Sequence, residues 1–159
     1  MRKVLALLLV SLLVLGLVAG CGSSTEKKEA PQATTYVNIA TGGTAGTYYP
    51  LGGALAEILN KNVKGVNASA QSTGASVANI NMLKEGKVDL AFVKNDITYY
   101  ALNGLEMFKD KKVGNLKGIA TLHPETIQIV TLADTGIKSL NDIKGKRVAV
   151  GAAGSGTEA

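Results

Sequence analysis

Three times in this chain an apolar run opens into a loop of glycine and hydroxyl residues, at Thr41–Thr47, Ser72–Ser76 and Gly151–Thr157. After the first two loops the hydrophobic period changes from that of a strand to that of a helix. A strand handing over to a helix through a short loop, repeated along a chain, belongs to parallel strands joined by crossovers. The expected fold class is therefore α/β with a mostly parallel sheet.

The individual elements follow from punctuation and period. Tyr36–Ala40 reads as the first strand, and a helix is expected from about Thr47 to Lys61 with Leu51, Leu55, Ile58 and Leu59 on one face. Gly65 breaks that pattern, and Val66–Gln71 reads as the second strand. A second helix carries Val77, Ile80 and Leu83 on one side, with Gly86 placed as its C′ residue. Val88–Val93 is the third strand, and Asn95 and Asp96 are candidate N-caps for a helix through about Leu102. Two further apolar runs, Lys117–Leu122 and Thr126–Leu132, flank His123-Pro124. A short helical turn is expected at Ser139–Ile143, and Arg147–Val150 reads as a final strand. A strand entering a Gly/Ser/Thr loop ordinarily opens a further helix, and the sequence reaches Ala159 before one can form. The expectation is a first lobe over 36–145, then a crossover strand and the start of a second, largely missing lobe over 146–159.

Different rules govern the N-terminal end. Arg2 and Lys3 precede the apolar run Val4–Ala19, broken only by Ser11 and Gly16, which is the pattern of an export signal. At 16 residues the run falls short of the roughly 20 that a membrane span requires. It ends in Val18-Ala19-Gly20-Cys21, which resembles the lipobox of bacterial lipoproteins, whose Cys is diacylated and becomes the mature N-terminus. Residues 1–20 are thus expected to be a lipoprotein signal peptide, Cys21 the lipidation site, and Gly22–Thr35 a flexible tether. The expected location is extracytoplasmic, held to the bilayer through acylated Cys21. Removing Arg2 and Lys3 with the leader lowers the formal charge from +5 to +3, so basicity carries little information about partners.

Composition narrows the chemistry. One Cys excludes an intramolecular disulfide and a cysteine metal cluster, and one His excludes a histidine-rich metal site. With five tyrosines, two phenylalanines and scattered basic residues, no nucleic-acid surface is expected. The sequence contains no G-x-S-x-G elbow and no H-E-x-x-H or EF-hand loop, and neither enzymatic activity nor a metal or other cofactor is expected.

The Gly/hydroxyl loops are the candidate site. In an open α/β sheet, ligands bind beyond the carboxyl ends of the strands. Glycine allows the backbone to approach closely, the first helical N–H groups lack partners, and hydroxyls add neutral donors. That combination suits a carboxylate or phosphate. No loop supplies the Lys of a Walker motif, and Gly151, Gly154 and Gly156 reverse the dinucleotide spacing, so a smaller anion is favoured. The candidate ligand-binding residues are Thr41, Gly42, Gly43, Thr44, Gly46 and Thr47 in the first loop; Ser72, Thr73, Gly74, Ala75 and Ser76 in the second; and Ser155, Gly156 and Thr157 in the third. Tyr48 and Tyr49 diverge by about 100° on a helix, so one of them at most faces a pocket. Asn95 joins the set at the end of the third strand, while Asp96 is expected to cap and Lys94 points to either solvent or cleft. His123 is expected to be structural, and Glu125 to cap or pair locally.

The segments Thr41–Gly52, Ser72–Asn79 and Gly86–Phe92 occur in an order that resembles the TAXI family, the solute receptors of one class of tripartite ATP-independent periplasmic (TRAP) transporters. Ser139–Gly151 followed by Gly154-Ser155-Gly156-Thr157 looks like the crossover between the lobes of such a protein. The resemblance runs from about Tyr36 to the last residue and departs at Asn95, where the family often has Gln, and at His123, where an aromatic is common. It implies a type II periplasmic-binding-protein fold and a small carboxylate ligand, glutamate-like or a dicarboxylate. It also implies partnership with TRAP permease subunits. An alternative on the same fold is a lipoprotein input domain that presents ligand to a membrane kinase.

Overall fold

A computed structural model describes residues 33–159. The expected leader, the lipidated Cys21 and most of the tether lie outside the described residues. The central strand, β1 (Thr35–Ala40), is flanked by β2 (Val66–Gln71) and β3 (Leu90–Ala91) in the order β2-β1-β3. Both pairings are parallel, with Thr35 opposite Val66 through Ala40 opposite Gln71, and Ile39 opposite Leu90. Parallel neighbours require crossovers. Helix α1 (Tyr48–Asn62) links β1 to β2, and α2 (Ser76–Lys84) links β2 to β3; α3 (Asn95–Asn103) follows. The sheet is open and wholly parallel, an α/β arrangement consistent with part of a periplasmic-binding-protein lobe.

Side chains alternate across a strand, and here they supply two cores. Ile39, Ala68 and Phe92 pack with Ala56, Leu55 and Leu59 of α1. Val93, next to Phe92, joins Ile80 and Val77 of α2, Ile97 and Ala101 of α3, and Phe108 and Val113 beyond. The face that α1 buries differs from the leucine stripe expected from period alone. Gly52 and Ala56 are buried and Leu55 and Leu59 half-buried, whereas Leu51 and Ile58 are exposed. Gly52 lies so close to the Thr41 methyl that a Cβ there would collide with it. The helix meets the sheet along its small residues because they allow the backbones to approach.

Other boundaries move for identifiable reasons. The third strand shrinks from the expected 88–93 to Leu90–Ala91; on its N-terminal side the Asp89 carboxylate takes the Asn38 N–H at 2.8 Å, which a ladder would otherwise use, while beyond it the Phe92 N–H still donates to Ala40 O at 3.0 Å. Asn95 and Asp96 are the first two residues of α3 rather than its cap, which is Lys94. Their side chains accept from the next N–H in line, Asn95 Oδ1 from Asp96 and Asp96 Oδ1 from Ile97. Ser139 and Asp142 form a capping box around the expected turn, a 3-10 helix at Leu140–Ile143. Arg147–Val150, expected as a strand, pairs with no strand among the described residues, nor do 117–122 and 126–132. Apolar period alone does not make a strand; a ladder partner must satisfy its backbone.

Candidate functional site

The carboxyl ends of β1 and β2 meet in one knot of hydrogen bonds, and Asn79 is at its centre. This fully buried amide on α2 donates to the Thr41 carbonyl at 2.6 Å and the Phe92 carbonyl at 2.8 Å. Its Oδ1 lies 2.5 Å from the Thr73 hydroxyl. One side chain thereby ties the ends of all three strands. The expected donors Thr41, Thr73 and Ser72 are spent within this knot. Thr41 is buried and its hydroxyl donates to Gln71 O at 2.5 Å. The Ser72 hydroxyl donates to Gly42 O at 3.0 Å, and the Thr73 hydroxyl accepts from Ala75 N–H at 3.0 Å. Hydroxyls that serve the backbone in this way position a site rather than contact a ligand.

The three Gly/hydroxyl loops do not present three equivalent helix ends. At α2 the N–H groups of Val77 and Ala78 donate to Gly154 O at 2.9 and 3.3 Å, so the third loop itself fills the anion-suited position. Gly74 permits this approach, since a Cβ there would stand 2.5 Å from the Ala153 carbonyl oxygen. Ser155 and Gly156 are buried in the same contact, and Lys94 Nζ donates to Gly156 O at 3.0 Å while pairing with Asp96 at 3.2 Å. Ser76 is buried and accepts from Lys94 N–H at 3.1 Å. Asn95 is exposed at the start of α3, and Thr157 is exposed beyond Gly156.

The first loop is different. No side chain caps α1, no acidic residue occupies its first turn, and Pro50 brings no N–H there. A cavity of about 500 Å³ opens over this end, lined by Gly42, Gly43, Gly46, Thr47, Tyr48 and Ala75 on one side. The opposite side is His123, Pro124, Glu125, Thr126 and Gln128. Of the expected set, the structure therefore gathers Gly42, Gly43, Gly46, Thr47, Tyr48 and Ala75 around one space. Thr44 and Tyr49 are exposed beside it, and Ser155, Gly156, Thr157 and Asn95 do not line it.

Tyr48, not Tyr49, faces inward. Its ring packs 5.5 Å from that of Phe92. Burial, and next the Glu125 carboxylate, hold its phenol well above the ordinary range, with the Ser76 hydroxyl pulling the other way. Glu125 and His123 are thus cavity residues and not merely local structure. Ala75 is the strained residue of the site, at φ +72° and ψ −144°, a region that essentially only glycine occupies. Its N–H is held by Thr73 and its carbonyl by Asn79 N–H at 2.8 Å.

An open cavity at the carboxyl ends of parallel strands, with an uncapped helix start and neutral donors beside it, has room and donors for a small molecule. Residues 39–159 match the model of the NMT1-like family, a family related to periplasmic binding proteins. Membership of this family suggests an extracellular solute-binding role. By this match over most of its length, the chain belongs to the NMT1-like family.

Proposed function

We propose that this protein is an extracytoplasmic solute-binding lipoprotein of the TAXI type, which captures a small carboxylate for a TRAP secondary transporter. The observation that carries the ligand class is the uncapped first turn of α1 opening onto the cavity. A carboxylate there would take its backbone N–H groups and the positive end of the helix dipole, with the exposed Thr44 and Thr47 as neutral donors. Binding that favours one conformation of the protein would let a permease distinguish loaded from empty receptor. The order of Thr41–Gly52, Ser72–Asn79 and Gly86–Phe92 supports the transporter class, and Val18-Ala19-Gly20-Cys21 supports lipid anchoring.

A thermal-shift screen of amino acids and dicarboxylates tests the ligand class. A raised midpoint with one or more carboxylates is expected, and a flat response across all of them would refute it. Lipid anchoring has its own test. Cys21→Ser is expected to move the protein from the membrane to the soluble fraction and to abolish fatty-acid labelling, and unchanged partition would defeat that part alone.

A further inference from the structure

The cavity over α1 has an unexpected charge content for a carboxylate site. Among the described residues lining it there is no Lys or Arg, and Glu125 supplies the only full formal charge. The ion pairs of the described residues are Lys61–Glu57, Lys87–Glu85 and Lys94–Asp96, and Glu125 takes part in none. Glu125 and Tyr48 line this same cavity, and its walls have opposite character. One wall presents the dipole-positive helix start at Thr47–Tyr48, and the other an unneutralised carboxylate with Gln128 beside it.

A dianion would meet that carboxylate without a basic side chain to offset it, and like charges brought to within a few ångströms of each other repel. A molecule with an ammonium group close to its carboxylate meets both walls with the right sign. Building against the wrong ligand is an ordinary route to specificity. We infer that Glu125 is a specificity residue of this cavity, accepting an ammonium group and so selecting amino-acid-like zwitterions over purely anionic dicarboxylates. The inference rests on the proposed carboxylate site and divides its two ligand classes.

Two compounds with the same carbon skeleton isolate the ammonium group: L-glutamate, and glutarate, which lacks the amine. Calorimetric titration of the protein and of Glu125→Gln with each is the test. Tighter binding of glutamate by about tenfold or more, lost in Glu125→Gln with glutarate binding unchanged or improved, is the expected result. Because Glu125 is exposed, the variant should melt with the parent protein, which separates a lost contact from a lost fold. Glutarate binding as tightly as glutamate, or a preference that survives in Glu125→Gln, would overturn the role of Glu125 while leaving carboxylate capture intact. Failure of both compounds, together with a flat amino-acid and dicarboxylate screen, would overturn both.

Discussion

At the scale of single residues, the site depends on groups that touch no ligand. Asn79 satisfies carbonyls from two strand ends, and the Thr41 carbonyl also lies 3.0 Å from the Thr73 hydroxyl. Asn79→Ala would therefore strand mainly the Phe92 carbonyl, and a buried unsatisfied acceptor plus the lost bonds costs about 2–3 kcal/mol. Urea denaturation should show that loss, with weaker ligand binding as the loops separate. Ala75 makes the opposite prediction. Relief of its positive φ by Ala75→Gly outweighs the added entropy of the unfolded chain, and a gain of about 1 kcal/mol is expected in the same measurement. Tyr48 sets a pH dependence. Its phenol loses a proton more reluctantly folded than unfolded, so its stabilising contribution is complete below pH about 10 and declines as pH rises beyond it. Melting midpoints between pH 8 and 11 should fall less steeply in Tyr48→Phe than in the parent protein. Asp142 has the reverse sign, because N–H groups of Lys138 and Ser139 and the Ser139 hydroxyl hold its carboxyl below the usual range. That capping box loosens only as pH falls through the lowered value.

At the scale of elements, small residues and amides decide how helix meets sheet. Asn60 of α1 donates to Ala68 O at 3.0 Å and accepts from Ala68 N–H at 2.6 Å, covering backbone groups on the outer edge of β2. An edge strand so occupied is a poor template for a second chain. Gly52 fixes the distance between α1 and the end of β1. Gly52→Ala gains about 1 kcal/mol of helix propensity but forces its methyl into that of buried Thr41, and overpacking of this kind costs about 1–3 kcal/mol. A net loss of stability is expected by denaturation, with α1 displaced from the first loop and weaker carboxylate binding as a second readout. A more stable Gly52→Ala protein would contradict the close contact. The expected elements from β1 to α2 agree with the structure to within about a residue or two, because local signals set them: hydrophobic period, Gly65 and Gly86 as breaks, and hydroxyl loops between. The buried face of α1 was legible only in part: period identified Leu55 and Leu59, which pack on the core, but the sheet selected Gly52 and Ala56 for the closest approach and left Leu51 and Ile58 exposed.

At the scale of the whole described unit, one part is packed and another is not. Both cores lie within residues 37–116, whereas Ile119, Ile127, Ile129, Val130 and Leu132 are all exposed, Val130 at 86%. Residues this exposed contribute little to folding, and charged replacements at such places change stability by about 0.5 kcal/mol or less. A Val130→Lys, Leu132→Lys double variant should therefore melt with the parent protein while binding less hydrophobic dye and scattering less light at high concentration. An equally large fall in stability would show that these side chains are buried in solution.

The amino-acid sequence by itself determined the parallel α/β plan, the positions of its first strands and helices, and the loop where α1 begins. These depend on neighbours three or four places apart, or on single residues that break a pattern, so they can be read along the chain. The tertiary structure alone decided which hydroxyls were spent on backbone carbonyls, that Gly154 rather than a ligand would occupy the start of α2, and that Glu125 and His123 would line one cavity with Tyr48. Those outcomes depend on atoms brought together from residues dozens of places apart, and on competition for a few buried donors that no local pattern records.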